Sequence, residues 1–457
     1  MTHVQWLGAV PLCDDQVQVL DWIAPADRYT HTNDPPPPGE GAVIICPARY
    51  HTPAEVNELI APLPWAVVIL TSDEESTFDA NAVAHPNLAL WVMTPRPDRT
   101  YPAGTRYLGE GFNPATRPTI KAIGDQPRNT DIYLSGQDTH ERRHDLFRAL
   151  GNCRRPWTLD VTATEGFMQG HPRDEYLARM TAAKVAPCPS GPATPDSFRL
   201  YEALEAGCVP LADETAPGSY PNRGYWDMVA PGRPFELVPN WSEYEKYVVT
   251  ALDGWPRRAA RCQAWWVRHK WQQARWLADD VAGLSGLPAP VRDVDDLVTV
   301  VMVTSAIPSH PSTGVIAETV ASVRERLPRA EILVGCDGVP DHLAHRTADY
   351  DEYLRRLAWA CCHEWDGVVP FLFDAHTHQV GMTRRLLAEV RTPLVLFVEH
   401  DTPLTGEVDW PGCARAVLSG AVNLIRFHHE ASVLEPHKHL MVDEVPRDVE
   451  GVPLLRT

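Results

Sequence analysis

The chain has 457 residues, 44% of them hydrophobic and 22% charged, and carries a formal net charge of −19. That length exceeds one ordinary core and points to two or three domains, while the composition is that of a globular chain rather than a disordered one. The negative field disfavours duplex nucleic acid unless a local basic patch overrides it. With no apolar run of membrane-spanning length and no signal-like N-terminus, a cytoplasmic protein without a membrane partner is expected.

Short apolar runs rich in β-branched residues recur early, at 42–46 (AVIIC), 65–70 (WAVVIL), 88–93 (LALWVM) and 131–135 (DIYLS). Alternating with helical or loop segments, they predict a parallel sheet flanked by helices. The four prolines at 35–38 fit only an extended loop. A fresh unit begins near Asn129, where residues 131–151 read as a strand, a tight polar turn and a helix with Leu146, Phe147 and Leu150 on its apolar face. Between 178 and 211 follow a helix, a strand, a loop, a second helix and a second strand, with Gly207 placed to stop that second helix in a left-handed conformation.

Residues 243–282 are helical in period and dense in Arg and Trp, and these tryptophans are expected to pack the helix against its domain rather than to bind sugar. The Gly- and Pro-rich stretch at 283–296 is the linker. Beyond it, 297–305 (LVTVVMVTS), a helix from near Gly314 and 331–338 (EILVGCDG) make a βαβ opening. A helix at 381–390 leads into a buried strand at 393–401 that ends in two carboxylates. The organisation is therefore 1–128, 129–282, linker 283–296 and 297–457; the last unit is short for a complete domain, and further C-terminal sequence is expected. The ten cysteines form no C-x-x-C pair, so buried thiols are expected.

The strongest chemical signal lies at 188–214, CPSGPATPDSFRLYEALEAGCVPLADE. It closely resembles the nucleotide-sugar motif of exostosin-like glycosyltransferases of the GT-B fold, S-x-R-L-x-E-A-x-x-x-G-C-x-P, with Ser197, Arg199, Leu200, Glu202, Ala203, Gly207, Cys208 and Pro210 in register. In such a motif the loop and helix N-terminus offer N–H groups to a diphosphate, Arg199 neutralises it, and Glu202 accepts from ribose hydroxyls. The bland alternative is an amphipathic helix with an exposed Arg199–Glu202 pair. Residues 135–143 (SGQDTHERR) are similar to the βα turn that opens the nucleotide-binding half of these enzymes. Gly136 there permits close approach, and Arg142 or Arg143 reaches the leaving diphosphate. The first domain of a GT-B enzyme often supplies the base; the candidates are Asp73 and Glu74 past a strand's carboxyl end and His51 in the same topological position, with solvated loop residues as the alternative.

The stretches VTVVMVTS (298–305) and CDGVPD (336–341) resemble the opening strand and D-G-S-type turn of family-two-like GT-A glycosyltransferases. The resemblance implies that Asp337 contacts uracil or ribose and that Glu399 and Asp401 stand where such enzymes carry a D-x-D metal motif. Two carboxylates spaced by two on a strand end point the same way and can share Mn2+ or Mg2+ bridging the sugar diphosphate. Alternatively the pair caps the following turn. Glu399 departs from the family's usual Asp, so Asp401 is the better-matched ligand. His400, His428, His429, His437 and His439 cluster nearby, either as metal ligands or as ordinary surface or packed histidines.

The fold class expected is α/β, two Rossmann-like domains in a GT-B arrangement followed by a GT-A-like α/β domain. The function expected is a bifunctional or tandem glycosyltransferase that moves sugar from a UDP-sugar donor to a hydroxyl acceptor on a glycan, protein or modified nucleic acid. Two readings compete with it: transfer to hydroxymethylated DNA bases, supported only by the basic, Trp-rich stretch 257–275, and a catalytically silent nucleotide-sugar or glycan-binding protein.

Overall fold

The computed structural model describes residues 1–8, 19–164, 166, 169–217, 224–287, 291–427, 442 and 445–454; histidines 428, 429, 437 and 439 lie outside these. Two compact units emerge, Met1–Ala289 with Leu354–Glu364, and Pro290–Tyr353 with Trp365–Thr457.

In the first unit, β1 (Thr2–Trp6), β2 (Tyr29–Thr32), β3 (Ala42–Pro47), β4 (Ala66–Thr71), β5 (Leu88–Met93) and β6 (Arg106–Leu108) form a parallel sheet in the order β2-β1-β3-β4-β5-β6. β3 and β4 are buried on both faces, which is why they read as unbroken aliphatic runs. β1, β2 and β6 are short or edge strands with polar positions, and only pairing with their neighbours defines them. The helix Pro53–Ile60 packs Val56 and Ile60 on this sheet and starts at a Thr52–Glu55 capping box.

A second parallel sheet comprises β7 (Thr130–Gln137), β8 (Leu159–Thr164), β9 (Ala183–Cys188), β10 (Val209–Asp213) and β11 (Glu236–Val238), ordered β11-β10-β9-β7-β8. Strand order reverses between β7 and β9, so the loops leaving their carboxyl ends diverge and open a crevice. Gly207, at φ +70°, ends the helix Phe198–Glu205 in the left-handed conformation its position predicts.

The helical stretch expected from 243 to 282 is two helices, Tyr244–Leu252 and Trp255–Ser285. The break falls at Gly254, which takes φ +63°, a conformation no helix interior accommodates. In the long helix Trp265 stacks on His269 at 4.7 Å and buried Trp266 meets Trp22 edge-on at 5.5 Å, so this part of the aromatic stripe is packing.

Where the helix Phe198–Glu205 ends, a buried carboxylate holds several elements together. Glu205 Oε1 accepts from Lys270 Nζ at 2.5 Å and from Trp266 Nε1 at 2.7 Å, while its backbone oxygen faces His363 Nε2 at 2.8 Å. Burial alone would raise the Glu205 carboxyl; Lys270, with His363 and Arg117 behind it, overrides this and holds it at about 2.

In the second unit, β12 (Val298–Thr304), β13 (Glu331–Cys336), β14 (Val368–Leu372) and β15 (Leu394–Glu399) form a parallel sheet ordered β14-β13-β12-β15. β16 (Arg447–Val449) and β17 (Val452–Leu454) form a small antiparallel hairpin. Among the described residues the strand expected to be buried at 393–401 is an edge: β15 pairs with β12 alone, and Val395 and Phe397 are 43% and 40% exposed. Its apolar sequence does not distinguish an edge from a centre, since neighbours and not composition decide burial. Among the described residues no helix is long and apolar enough to cross a membrane.

Lys270→Met leaves the Glu205 carboxylate buried and uncompensated and is expected to cost about 3–5 kcal/mol. A urea midpoint equal to that of the parent protein would show that the pair is dispensable. Acid should also weaken this unit. Burial holds His269 and His363 at about 4, below their ordinary 6.5, so the unfolded chain takes up protons that the folded one refuses. Their contribution is full above about 6.5 and is lost as pH falls through about 4, with Glu205 adding a further loss toward 2. Melting temperatures recorded from pH 7 to pH 4 should therefore decline, and a flat profile would contradict the assignment of these groups.

Candidate functional site

The crevice at the reversal between β7 and β9 gathers most of the residues that the motif singles out. Arg199, in the first turn of the helix Phe198–Glu205, donates to the Ser135 carbonyl at the end of β7 at 2.5 Å. Gly136 makes this possible, because a Cβ there would collide with the Arg199 guanidinium. Arg143, from the first turn of the helix Glu141–Gly151, donates to the carbonyls of Ser190 (3.2 Å) and Gln137 (3.3 Å). His140, just before that helix, sets Nε2 3.2 Å from the same Ser190 carbonyl.

Arg143 thus donates to neutral carbonyls, and Arg199 adds to its carbonyl a hydrogen bond with the Tyr176 side chain. Burial first, and then the neighbouring charge of Arg199, pull Arg143 down to about 10. Around them stand buried polar atoms that have no partner among the described residues: Ser190 Oγ, Ser197 Oγ, Arg199 Nε and His140 Nδ1. Ser197 occupies the N-cap position, yet its hydroxyl caps nothing. Two crowded guanidinium groups, free hydroxyls and a helix N-terminus make a cradle for a doubly charged anion such as a diphosphate.

Not every motif residue faces this cradle. Arg142 is turned to buried Asp213, with which it pairs, and to the Val238 and Pro239 carbonyls at 3.1 and 2.9 Å, so its charge is already matched. Glu202 lies one turn beyond Arg199 and accepts from the Tyr176 hydroxyl at 2.8 Å. In the first sheet, Asp73 accepts from Thr77 N, Thr77 Oγ1 and Phe78 N at 2.8 to 2.9 Å and so folds its own loop. Glu74 faces Arg49 at 3.6 Å, and His51 follows the short turn at Ala48–Tyr50.

The acid that the first sheet brings to the crevice is one that sequence reading missed, Glu110, in the loop after β6. Its N–H donates to Asp196 Oδ2 at 2.9 Å, and Arg143 feels its carboxylate. Buried Asp196 also accepts from the Tyr201 and Tyr225 hydroxyls at 2.6 and 2.8 Å. Gly109 has no room for a side chain against the Tyr201 hydroxyl. The sequence signal was the G-E-G triplet at 109–111, a single acid between two residues suited to close approach.

In the second unit, Asp337 directly follows β13, with its carboxylate turned to backbone N–H groups and to His376. β15 stops at Glu399, which accepts from Gln379 Nε2 at 2.9 Å, and the chain then turns, Thr402 N bonding to Glu399 O at 3.2 Å. Asp401 therefore sits on a turn rather than on the strand, and strand alternation does not set its direction. Both carboxylates are exposed oxygen donors. Oxygen donors of this kind suit a hard divalent ion, but no third His, Cys, Asp or Glu among the described residues joins them in a ligand cluster. His400 is buried and its Nε2 has no partner among the described residues.

Glu205, Cys362 and His363 bring potential metal-ligand atoms within 4.8 Å of one another, but Lys270 already supplies the cation at that carboxylate. The cluster fits a metal ion poorly. No protein-family model matches the chain, and no curated protein matches it significantly.

Inorganic pyrophosphate is the simplest probe of the cradle. Calorimetry should show Arg143→Ala weakening its binding about 10- to 100-fold, the loss of one charge-assisted contact. Gly136→Ala should also weaken it, by displacing Arg199, with little change in melting temperature because only a side-chain tip must move. Equal pyrophosphate affinity in all three proteins would remove the cradle as an anion site.

Proposed function

We propose that the chain is a glycosyltransferase that uses a nucleotide-activated sugar, with residues 1–282 in a GT-B arrangement and 297–457 forming a GT-A-like unit. The observation that carries this reading is the pair Arg143 and Arg199, crowded at a strand-order reversal with neutral carbonyls for partners. A diphosphate placed against such a pair would be bound by charge-assisted hydrogen bonds. The resemblance of residues 188–214 to the exostosin-like motif supplies the sugar nucleotide, UDP-linked, as the diphosphate's carrier.

In this reading Arg143, Arg199, Ser190 and Ser197 bind the diphosphate, and Glu202 accepts from the ribose hydroxyls. Glu110 takes the proton of an acceptor hydroxyl as its oxygen bonds to the anomeric carbon. The bond from that carbon to the phosphate oxygen breaks, and its electron pair leaves with the nucleoside diphosphate. Fixed positive charge where the leaving group gains its negative charge is the main source of acceleration. In the GT-A-like unit Glu399 and Asp401 would hold Mn2+ or Mg2+, whose chemistry when bound is neutralisation of the departing diphosphate. Protein, glycan and modified nucleic acid all remain acceptor classes. In the stretch that would support transfer to DNA, Trp265 and Trp266 are buried, which leaves its arginines and Trp271 as the accessible part.

The test is nucleoside diphosphate release from a panel of UDP-sugars, with and without Mn2+, by the parent protein and by Glu202→Ala and Asp401→Ala. Turnover by the parent that falls at least tenfold in one variant supports the reading and identifies the working unit. UDP binding without release from any donor would favour the silent binding protein, and a salt-dependent gel shift on DNA would favour the nucleic acid acceptor.

A further inference from the structure

At the carboxyl end of β13 the chain turns through Asp337 and Gly338, and the loop after β14 folds back over them. Gly338 has to be glycine there, because a Cβ would run into the backbone of Ala375 and His376. Asp337, only 1% exposed, accepts from the backbone N–H groups of Gly338 (2.9 Å), Thr377 (2.6 Å) and His378 (3.1 Å) and faces His376 Nδ1 at 2.8 Å. Three backbone donors hold the carboxylate still, and it in turn fixes the imidazole with its Nδ1–H toward Oδ2. That tautomer leaves Nε2 with a lone pair, on a side chain that remains 27% exposed.

The surrounding backbone is bent to make this pairing. His378 takes φ +61°, a left-handed conformation that is rare for any residue but glycine, and its ring lies 3.9 Å from that of His376. The next residue, Gln379, donates to Glu399 at 2.9 Å, which ties the loop to the carboxyl end of β15. β12 lies between β13 and β15, and strand order reverses between β12 and β15. The pairing therefore stands on the rim where a parallel sheet of this kind takes its ligand.

We propose that His376 is the general base of a transfer site on this rim and that Asp337 is its positioning residue rather than a nucleotide contact. The inference rests on the reading of the second unit as a nucleotide-sugar site. His376 Nε2 accepts the proton of an acceptor hydroxyl while that oxygen bonds to the anomeric carbon. The bond from that carbon to the phosphate oxygen breaks, its electron pair leaves with the nucleoside diphosphate, and the imidazolium later returns its proton to water. His378 and Asp337 directly face the ring, and the Asp337 carboxylate stabilises the imidazolium formed.

The experiment uses the full chain carrying Arg143→Ala, which weakens the first unit's cradle, with UDP release followed in Mn2+ and UDP binding measured by calorimetry. His376→Gln should lower kcat about 100- to 10,000-fold with UDP affinity and melting temperature unchanged. Imidazole added to His376→Ala should restore part of the lost rate, which no structural role would allow. Release by His376→Gln at the parent rate overturns the dyad alone, as does failure of imidazole to restore any rate in a folded His376→Ala protein. Absence of both UDP binding and release in the Arg143→Ala parent overturns the nucleotide reading of the second unit and the dyad with it. Binding without release from any donor overturns the base while leaving the nucleotide reading standing.

Discussion

A buried carboxylate at the end of one short helix constrains much of the first unit. Glu205 lies wholly inside, where an unmatched charge is untenable, so Lys270 of the long helix has to reach it. The same carboxylate binds the indole of Trp266, and its carbonyl faces His363 of the segment 354–364, which returns to this unit from far along the chain. These contacts fix the C-terminal end of the helix Phe198–Glu205. The same helix carries Arg199 and Glu202, with Ser197 at its N-cap, so the pairing that satisfies one buried charge also sets the position of these residues.

At that other end the electrostatics run in the opposite sense. The charge of Arg199, after burial, pulls Arg143 down, and both guanidinium groups donate to backbone carbonyls. Arg142, the immediate neighbour of Arg143, shows the contrast, for it is paired with Asp213 and anchors the helix Glu141–Gly151 to the end of β10. One residue of helix rotation separates an arginine matched by a buried carboxylate from one that meets only backbone carbonyls. Asp196, satisfied by Tyr201, Tyr225 and the Glu110 N–H, plays a comparable part for the loop after β6.

The second unit shows the same economy of carboxylates. Asp337 is consumed by backbone donors and by His376, so whatever chemistry this rim performs passes to the imidazole and to the two exposed acids at the end of β15. A buried acid that orients a half-exposed histidine is built from a strand end and a loop far apart in sequence, and no short motif spells it.

The sequence by itself determined the parallel α/β character, because strands buried on both faces must be aliphatic throughout, as β3 and β4 are. It also determined the left-handed stop at Gly207 and the motif that contains Arg199, since glycine and local spacing act within a few residues. The edge position of β15, the short strands β1, β2 and β6, the break at Gly254, the choice of Arg143 over Arg142, the arrival of Glu110 and the pairing of His376 with Asp337 were decided only by tertiary structure. Each depends on which neighbour a residue meets across the chain, and local pattern carries no record of that neighbour.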